Sequence, residues 1–307
     1  MLIFLPPSMR GIIAWLLLVI NTIVLVPFLL LVSIARFPIP NAAWHRFCIN
    51  VAIKIAELWI ANNSAWMHLT QKMNWDVEGI ESLDKNQWYL VTSNHQSWSD
   101  IFILQYLLNR KIPMLKFFLK KELIWVPVIG VAWWALDFPF MKRYSKEFLE
   151  KYPEKRGDDF ANTKKACEKF EQTPVAVFNF LEGTRFTPTK HSRQQSPYNN
   201  LLKPKAGGIG FVVGAMGNSI SCVLDITISY PNQKAPSLSD FMTGQVDKVI
   251  VRAKQLEMPA CYLGKNYSED EVFRTEFQQW VSKLWQDKDT ELDSLLELSK
   301  EKGWSDQ

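Results

Sequence analysis

Metal and disulfide chemistry are poorly provided for in this chain, whose 307 residues hold only four cysteines and four histidines. Cys48, Cys167, Cys222 and Cys261 are far apart and form no C-x-x-C pair. That excludes a small secreted disulfide scaffold and a zinc knuckle, and points to a reducing compartment. His45, His68, His95 and His191 make no H-x-H or H-E-x-x-H grouping, so no metal site is expected. A G-x-S-x-G pentad, which a serine hydrolase would use, is missing as well. Gly207-Gly208-x-Gly210 follows the Lys203-Pro204-Lys205 loop instead of a strand, so it reads as a place where a helix packs closely and not as a dinucleotide fingerprint.

What is present is apolar mass. Hydrophobic residues make up 48% of the chain against 21% charged, with 13 Trp, 19 Phe and scattered Pro, which excludes global disorder. The net charge of +4 is unevenly distributed. From Arg110 to Lys205 there are 19 Lys and Arg against 10 Asp and Glu, whereas the remainder carries 16 against 21. A basic middle third suits an anionic ligand or membrane surface. No basic recognition helix accompanies it, so a nucleic-acid partner is not expected.

Ile12 to Ala35 is an apolar run whose polar members are Asn21, Thr22 and Ser33. As a helix it would reach about 36 Å, enough for a membrane element. Arg36-Phe37-Pro38 is not a signal-peptide cleavage site. Pro27 leaves open one kinked span or a hairpin. Arg36, Arg46 and Lys54 follow the run and only Arg10 precedes it, which places the body on the cytoplasmic side. Ala42 to Ile60 is apolar but broken by Arg46, Lys54 and Glu57, and reads either as an interfacial amphipathic helix or as a core-packing one. The implied division is an anchor over residues 1–62 and a second domain over residues 63–307.

From Trp75 onward the pattern changes. Trp88 to Thr92, Val175 to Leu181, Ser221 to Tyr230 and Val246 to Ala253 are apolar runs of strand length, the second continuous enough for a strand buried on both faces. Asp159 to Gln172 has helical spacing, as does the stretch from Val272 to Trp285. Helices alternating with buried strands predict an α/β fold.

Three clusters could carry chemistry. In the first, His95 and Asp100 lie where a strand gives way to a helix. They can meet only if His95 precedes the helix and Asp100 sits in its first turn, which Ser97 and Asp100, spaced as a capping box, permit. Asp100 may be read as a cap alone or, with His95, as the orienting carboxylate of a general base. The second is Phe180-Leu181-Glu182-Gly183-Thr184-Arg185, where Gly183 allows close approach of a ligand, Thr184 offers a hydroxyl and Arg185 can grip a phosphate; a surface Glu182–Arg185 turn is the plainer reading. The third is Phe138 to Arg143, ending in the cations Lys142 and Arg143.

N-H-x-x-x-x-D followed by F-x-E-G-T-R resembles the lysophospholipid acyltransferase family, which includes 1-acylglycerol-3-phosphate O-acyltransferase. The resemblance covers about Trp75 to Pro231. It implies a mixed sheet flanked by helices behind an N-terminal membrane helix or helical hairpin. It also implies an O-acyltransferase with His95 as base and Asp100 as its orienting partner. Arg143, Glu182, Gly183, Thr184 and Arg185 become acceptor-phosphate and site-shaping residues. Acyl-CoA or acyl carrier protein would be a co-substrate, no cofactor being required, and a lysophospholipid the acceptor, at a bacterial inner membrane. The chain departs from the family pattern at Asp137, where Gly is usual, and at Lys142. Its late block, Val223 to Tyr230, is similar to the branch with lysocardiolipin-type enzymes and the bacterial YihG-like acyltransferases. A lipid-binding module without chemistry, or a lipid hydrolase, is the competing expectation.

Overall fold

The computed structural model describes residues 1–141, 163–165, 167, 170, 173–220, 222–231 and 235–301. Two long helices open the chain, α1 (Pro7–Ala35) and α2 (Ala42–Thr70). Pro27 sits inside α1 without ending it. The polar members of the apolar run all turn toward protein. Asn21 donates to the Trp59 carbonyl and to Asn63 and accepts from Asn62, Trp59 donates its indole N–H to Thr22, and Ser33 donates to the Ala135 carbonyl. The bonds of Asn21 and Thr22, with Leu2 N–H on the Leu69 carbonyl at one end and the Trp44 indole on the Ala35 carbonyl at the other, zip the two helices into an antiparallel hairpin. The hairpin therefore forms between α1 and α2, not within α1. Asn41 caps α2 through the Ala43 and Trp44 amides, and the helix runs ten residues past Ile60, so the 62/63 division lies inside one unbroken helix.

The body is a six-stranded sheet in the order β1-β8-β7-β2-β6-β3, built from β1 (Asn74–Glu78), β2 (Tyr89–Ser93), β3 (Leu115–Phe117), β6 (Ala176–Phe180), β7 (Cys222–Ser229) and β8 (Lys248–Glu257). All neighbours are parallel except β7 with β8. A separate parallel pair joins β4 (Leu119–Lys120) to β5 (Phe140–Met141). The body's helices with both ends among the described residues are α3 (Ser99–Leu108), α4 (Ile129–Ala135), α5 (Pro188–Gln194), α6 (Ala206–Met216), the short α7 (Leu238–Met242) and the 31-residue α8 (Glu271–Glu301). Of the helix expected over Asp159 to Gln172, Thr163 to Lys165 and Cys167 are helical and most of the rest lies outside the described residues.

Side-chain alternation along the strands builds two cores. Tyr89, Val91 and Phe178 face one layer with Ile103 and Leu104 of α3 and Trp66 of α2. Leu90, Val177 and Val223 face the other, with Ile209 and Val213 of α6 and Phe273, Phe277 and Trp285 of α8. A sheet covered on both faces explains why β2 and β6 read as nearly continuous apolar runs. Gly210 is required where α6 meets Tyr267, since a Cβ there would lie 2.3 Å from the ring. The glycine cluster is thus a packing device.

Candidate active site

The parallel strands β2, β6 and β7 end on one edge of the sheet, where α/β folds build their sites. Three segments meet there: the loop from Asn94 to Trp98 after β2, the Glu182–Arg185 turn after β6, and Tyr230 after β7. Asn94 locks the first to the third, its amide accepting from the Ile228 N–H and donating to the Ile228 carbonyl.

His95 sits before α3 and Asp100 in its first turn, and the two meet through a 2.9 Å contact between Nδ1 and Oδ2. The same Asp100 oxygen accepts the Gln96 and Ser97 amides at 2.7 and 2.9 Å. The carboxylate thus holds the imidazole and the loop before α3 together, while the helix's own N-cap, Trp98, has no side-chain cap bond. Oδ1 accepts the Tyr230 hydroxyl at 2.5 Å. Burial and the adjacent carboxylate push the Tyr230 hydroxyl well above its ordinary pKa, so it stays protonated and donates. With Nδ1 engaged by Asp100, Nε2 has no hydrogen-bond partner among the described residues and carries the lone pair in the tautomer whose Nδ1–H donates to the carboxylate. The ring stacks on Phe180 at 3.8 Å between centroids, which fixes its plane. Nothing local in the late block marks Tyr230, because only the register of β7 against β2 brings it to Asp100.

Glu182 is fully buried, and its carboxylate takes the His95 amide at 2.8 Å and the Leu202 amide at 3.0 Å. Buried and engaged with two amides, this carboxyl has no open face to offer a phosphate. Desolvation raises its pKa to about 7, against the lowering effect of the two amides. The folded state therefore binds the Glu182 proton more tightly than the unfolded chain does. That contribution to stability is present below about pH 4.5 and is lost as pH rises through about 7, amounting to roughly 3 kcal/mol. Glu182→Gln is expected to flatten the fall in unfolding free energy across that window, measured by urea titration in detergent at a series of pH values; an unchanged slope would place the effect elsewhere.

Gly183 adopts φ +65°, which accounts for glycine at the turn. Thr184 accepts from the Lys190 ammonium at 2.8 Å, and the same ammonium reaches the Arg185 carbonyl at 2.9 Å. Arg185 is exposed and lies 4.8 Å above the Trp98 ring, so it is available at the mouth and not paired with Glu182. Arg143 lies outside the described residues, as does Lys142. Asp137 stands at φ +56°, a left-handed conformation suited to the glycine expected there, and its carboxylate clasps Arg36 at the end of α1.

A carboxylate-held imidazole on the carboxyl edge of a mostly parallel sheet is the arrangement found where the sites of α/β folds are built. The acyltransferase family model matches residues 74–228, just over half of the chain, and the chain belongs to that family and is an acyltransferase. It is 25% identical over 300 residues to mouse 1-acyl-sn-glycerol-3-phosphate acyltransferase gamma, covering 91% of this chain and 71% of that protein. It is 26% identical over 317 residues to Arabidopsis thaliana 1-acyl-sn-glycerol-3-phosphate acyltransferase 3, covering 96% and 74%. The fold matches the crystal structure of the 1-acyl-sn-glycerophosphate acyltransferase PlsC from Thermotoga maritima, with a TM-score of 0.56 at 19% identity over 94% of this chain and 98% of that one.

Proposed function

We propose that the protein transfers a fatty acyl group from a thioester, on coenzyme A or acyl carrier protein, to the free hydroxyl of lysophosphatidate in phospholipid synthesis. The observation that carries this reading is the His95–Asp100 pair, poised with Nε2 open in a chain of this family. Nε2 takes the hydroxyl proton as the oxygen attacks the thioester carbonyl, and backbone amides near the site hold the oxyanion. Collapse of the tetrahedral intermediate breaks the carbon–sulfur bond, and the imidazolium returns the proton to the departing thiolate. Incubating membranes that carry the protein with a panel of lysolipids and both thioesters tests it: a two-chain phospholipid whose formation requires both substrates is expected. Fatty acid release without acceptor would indicate a hydrolase.

Arg185, over Trp98 beside Gly183, is the group we assign to the acceptor phosphate, with Lys190 adding positive charge to the same turn. A charge-assisted bond contributes about 1.5–3 kcal/mol, so Arg185→Ala is expected to raise the acceptor KM by about 10- to 100-fold. Arg185→Lys should recover part of it, because an ammonium lacks the planar fork. Saturation curves run separately for acceptor and thioester decide this; a defect confined to the thioester would move Arg185 to the carrier phosphates.

We further infer that the α1–α2 hairpin holds the body against the bilayer from one side. α1 has the length and hydropathy of a span, yet both its ends are fixed to the body, Arg10 donating to the Thr70 and Gly244 carbonyls and Arg36 pairing with Asp137. A helix held at both ends lies along the protein. Its exposed stripe, which includes Ile12, Leu16, Val19, Ile23 and Leu31, then enters lipid from the cytoplasmic side.

A further inference from the structure

Trp125 is 86% exposed, more than any other large apolar side chain among the described residues. It belongs to a run of four, Trp125-Val126-Pro127-Val128, in which every residue is exposed. The run sits at the tip of an excursion from the sheet whose base is closed by the pairing of β4 with β5 and by the Leu119 amide on the Pro139 carbonyl. The tip is well bonded internally. The Val126 amide bonds the Leu123 carbonyl, the Gly130 amide bonds Val126, and a Cβ on Gly130 would lie 2.2 Å from the Ile124 carbonyl oxygen. Val128 adopts φ +65°, a conformation that a β-branched residue takes only when its surroundings force it. The fold thus spends strain to point apolar side chains outward.

These side chains continue the surface of α1. Trp134 of α4 stacks on Phe37 at 6.2 Å, and both rings are exposed. At the same C-terminal end of α4, Ser33 of α1 bonds Ala135, and Arg36, just past α1, pairs with Asp137, just past α4. Val131 and Val126 extend the patch, and Lys120 and Lys121, both exposed, flank it with Glu122 as the opposing charge. Lys116, nearer the sheet, is buried over Phe170. Tryptophan and valine at a tip, bordered by lysine and continuous with an apolar helix, match the polarity profile of a bilayer interface carrying anionic head groups.

We propose that the Trp125–Val128 tip and the outer face of α4 form a second membrane-docking element, which inserts beside α1 into an anionic lipid surface. It depends on the membrane placement of α1 but not on the reaction. A contact beside α1 fixes the tilt of the body over the lipid, which a single hairpin leaves free to roll.

The test uses the full chain in vesicles of phosphatidylcholine and phosphatidylglycerol, with Cys222→Ser and Cys261→Ser as background. A nitroxide placed at Trp125→Cys should collide more often with oxygen than with a water-soluble nickel chelate, whereas one at Glu276→Cys, exposed on α8, should show the reverse. Equal accessibility at the two positions would overturn the proposal, as would a protein partner and not lipid covering the tip. A second variant, Trp125→Ser with Val126→Ser and Val128→Ser, should lose rate severalfold on vesicle-embedded acceptor while matching the parent on detergent-dispersed acceptor. Equal loss on both would assign the tip to folding and overturn docking. Depth is read without turnover, so a chain that transferred no acyl group would count against the reaction and leave the depth result standing.

Discussion

His95→Ala is expected to lower turnover by about 10²–10⁴-fold, the usual contribution of a positioned base, with expression and membrane attachment intact. The side chain is buried at the edge of the sheet but packs mainly against Phe180, so its removal leaves the strand pairing in place. Asp100→Asn should act in the same direction through orientation. An amide still accepts a bond from one neighbour but no longer carries the charge that stabilises the imidazolium, and four donors converge on this one carboxylate. Tyr230→Phe should cost less, since Oδ1 loses a single bond. Rates with purified proteins at saturating acceptor and thioester check the series; wild-type turnover in His95→Ala would mean that the base is another group.

How far the site can be read from sequence follows from which contacts are local. His95 and Asp100 are five residues apart, and the capping logic that places one on the loop and the other in the first helical turn is a local argument that needs no tertiary knowledge. The buried strands are legible for a similar reason, because a strand covered on both faces is apolar along most of its length, with Thr92, Ser93 and Asn179 polar only toward the carboxyl ends of β2 and β6. The C-terminal helix is legible from its period, although the observed α8 runs well past Trp285 to Glu301. Other features depend on pairing across the chain. Tyr230 reaches Asp100 because β7 extends beyond β2 in register, 130 residues away. The α1–α2 hairpin depends on Asn21 and Thr22 finding Trp59, Asn62 and Asn63, and no periodicity within α1 announces that. Strands β3 to β5 are two or three residues long, too short for alternation to register. Glu182 was visible as a motif residue, but its contact with the His95 amide appears only when β2 and β6 lie side by side.

The deepest of these hidden contacts should dominate stability. Lys288 of α8 is fully buried, and its ammonium bonds Asp225 at 3.0 Å, the Ile226 carbonyl at 2.7 Å and the Thr227 hydroxyl at 3.0 Å. Asp225 also accepts the Thr92 hydroxyl at 2.6 Å, three residues before His95. In sequence Lys288 stands between Asp287 and Asp289, and nothing local marks it as buried. Burial pulls its pKa down while Asp225 pulls it back up. Replacing Lys288 with methionine would leave the Asp225 carboxylate buried with only the Thr92 hydroxyl, at an expected loss of about 3–5 kcal/mol. Asp225→Asn combined with Lys288→Met should recover most of that loss, because a neutral amide tolerates burial and keeps a bond to Thr92. Urea unfolding in detergent of the two single variants and the double variant gives the coupling between them. Additive losses would mean that the pair holds α8 to the sheet through its separate contacts; a double variant closer to wild type than either single one identifies the uncompensated charge as the cost.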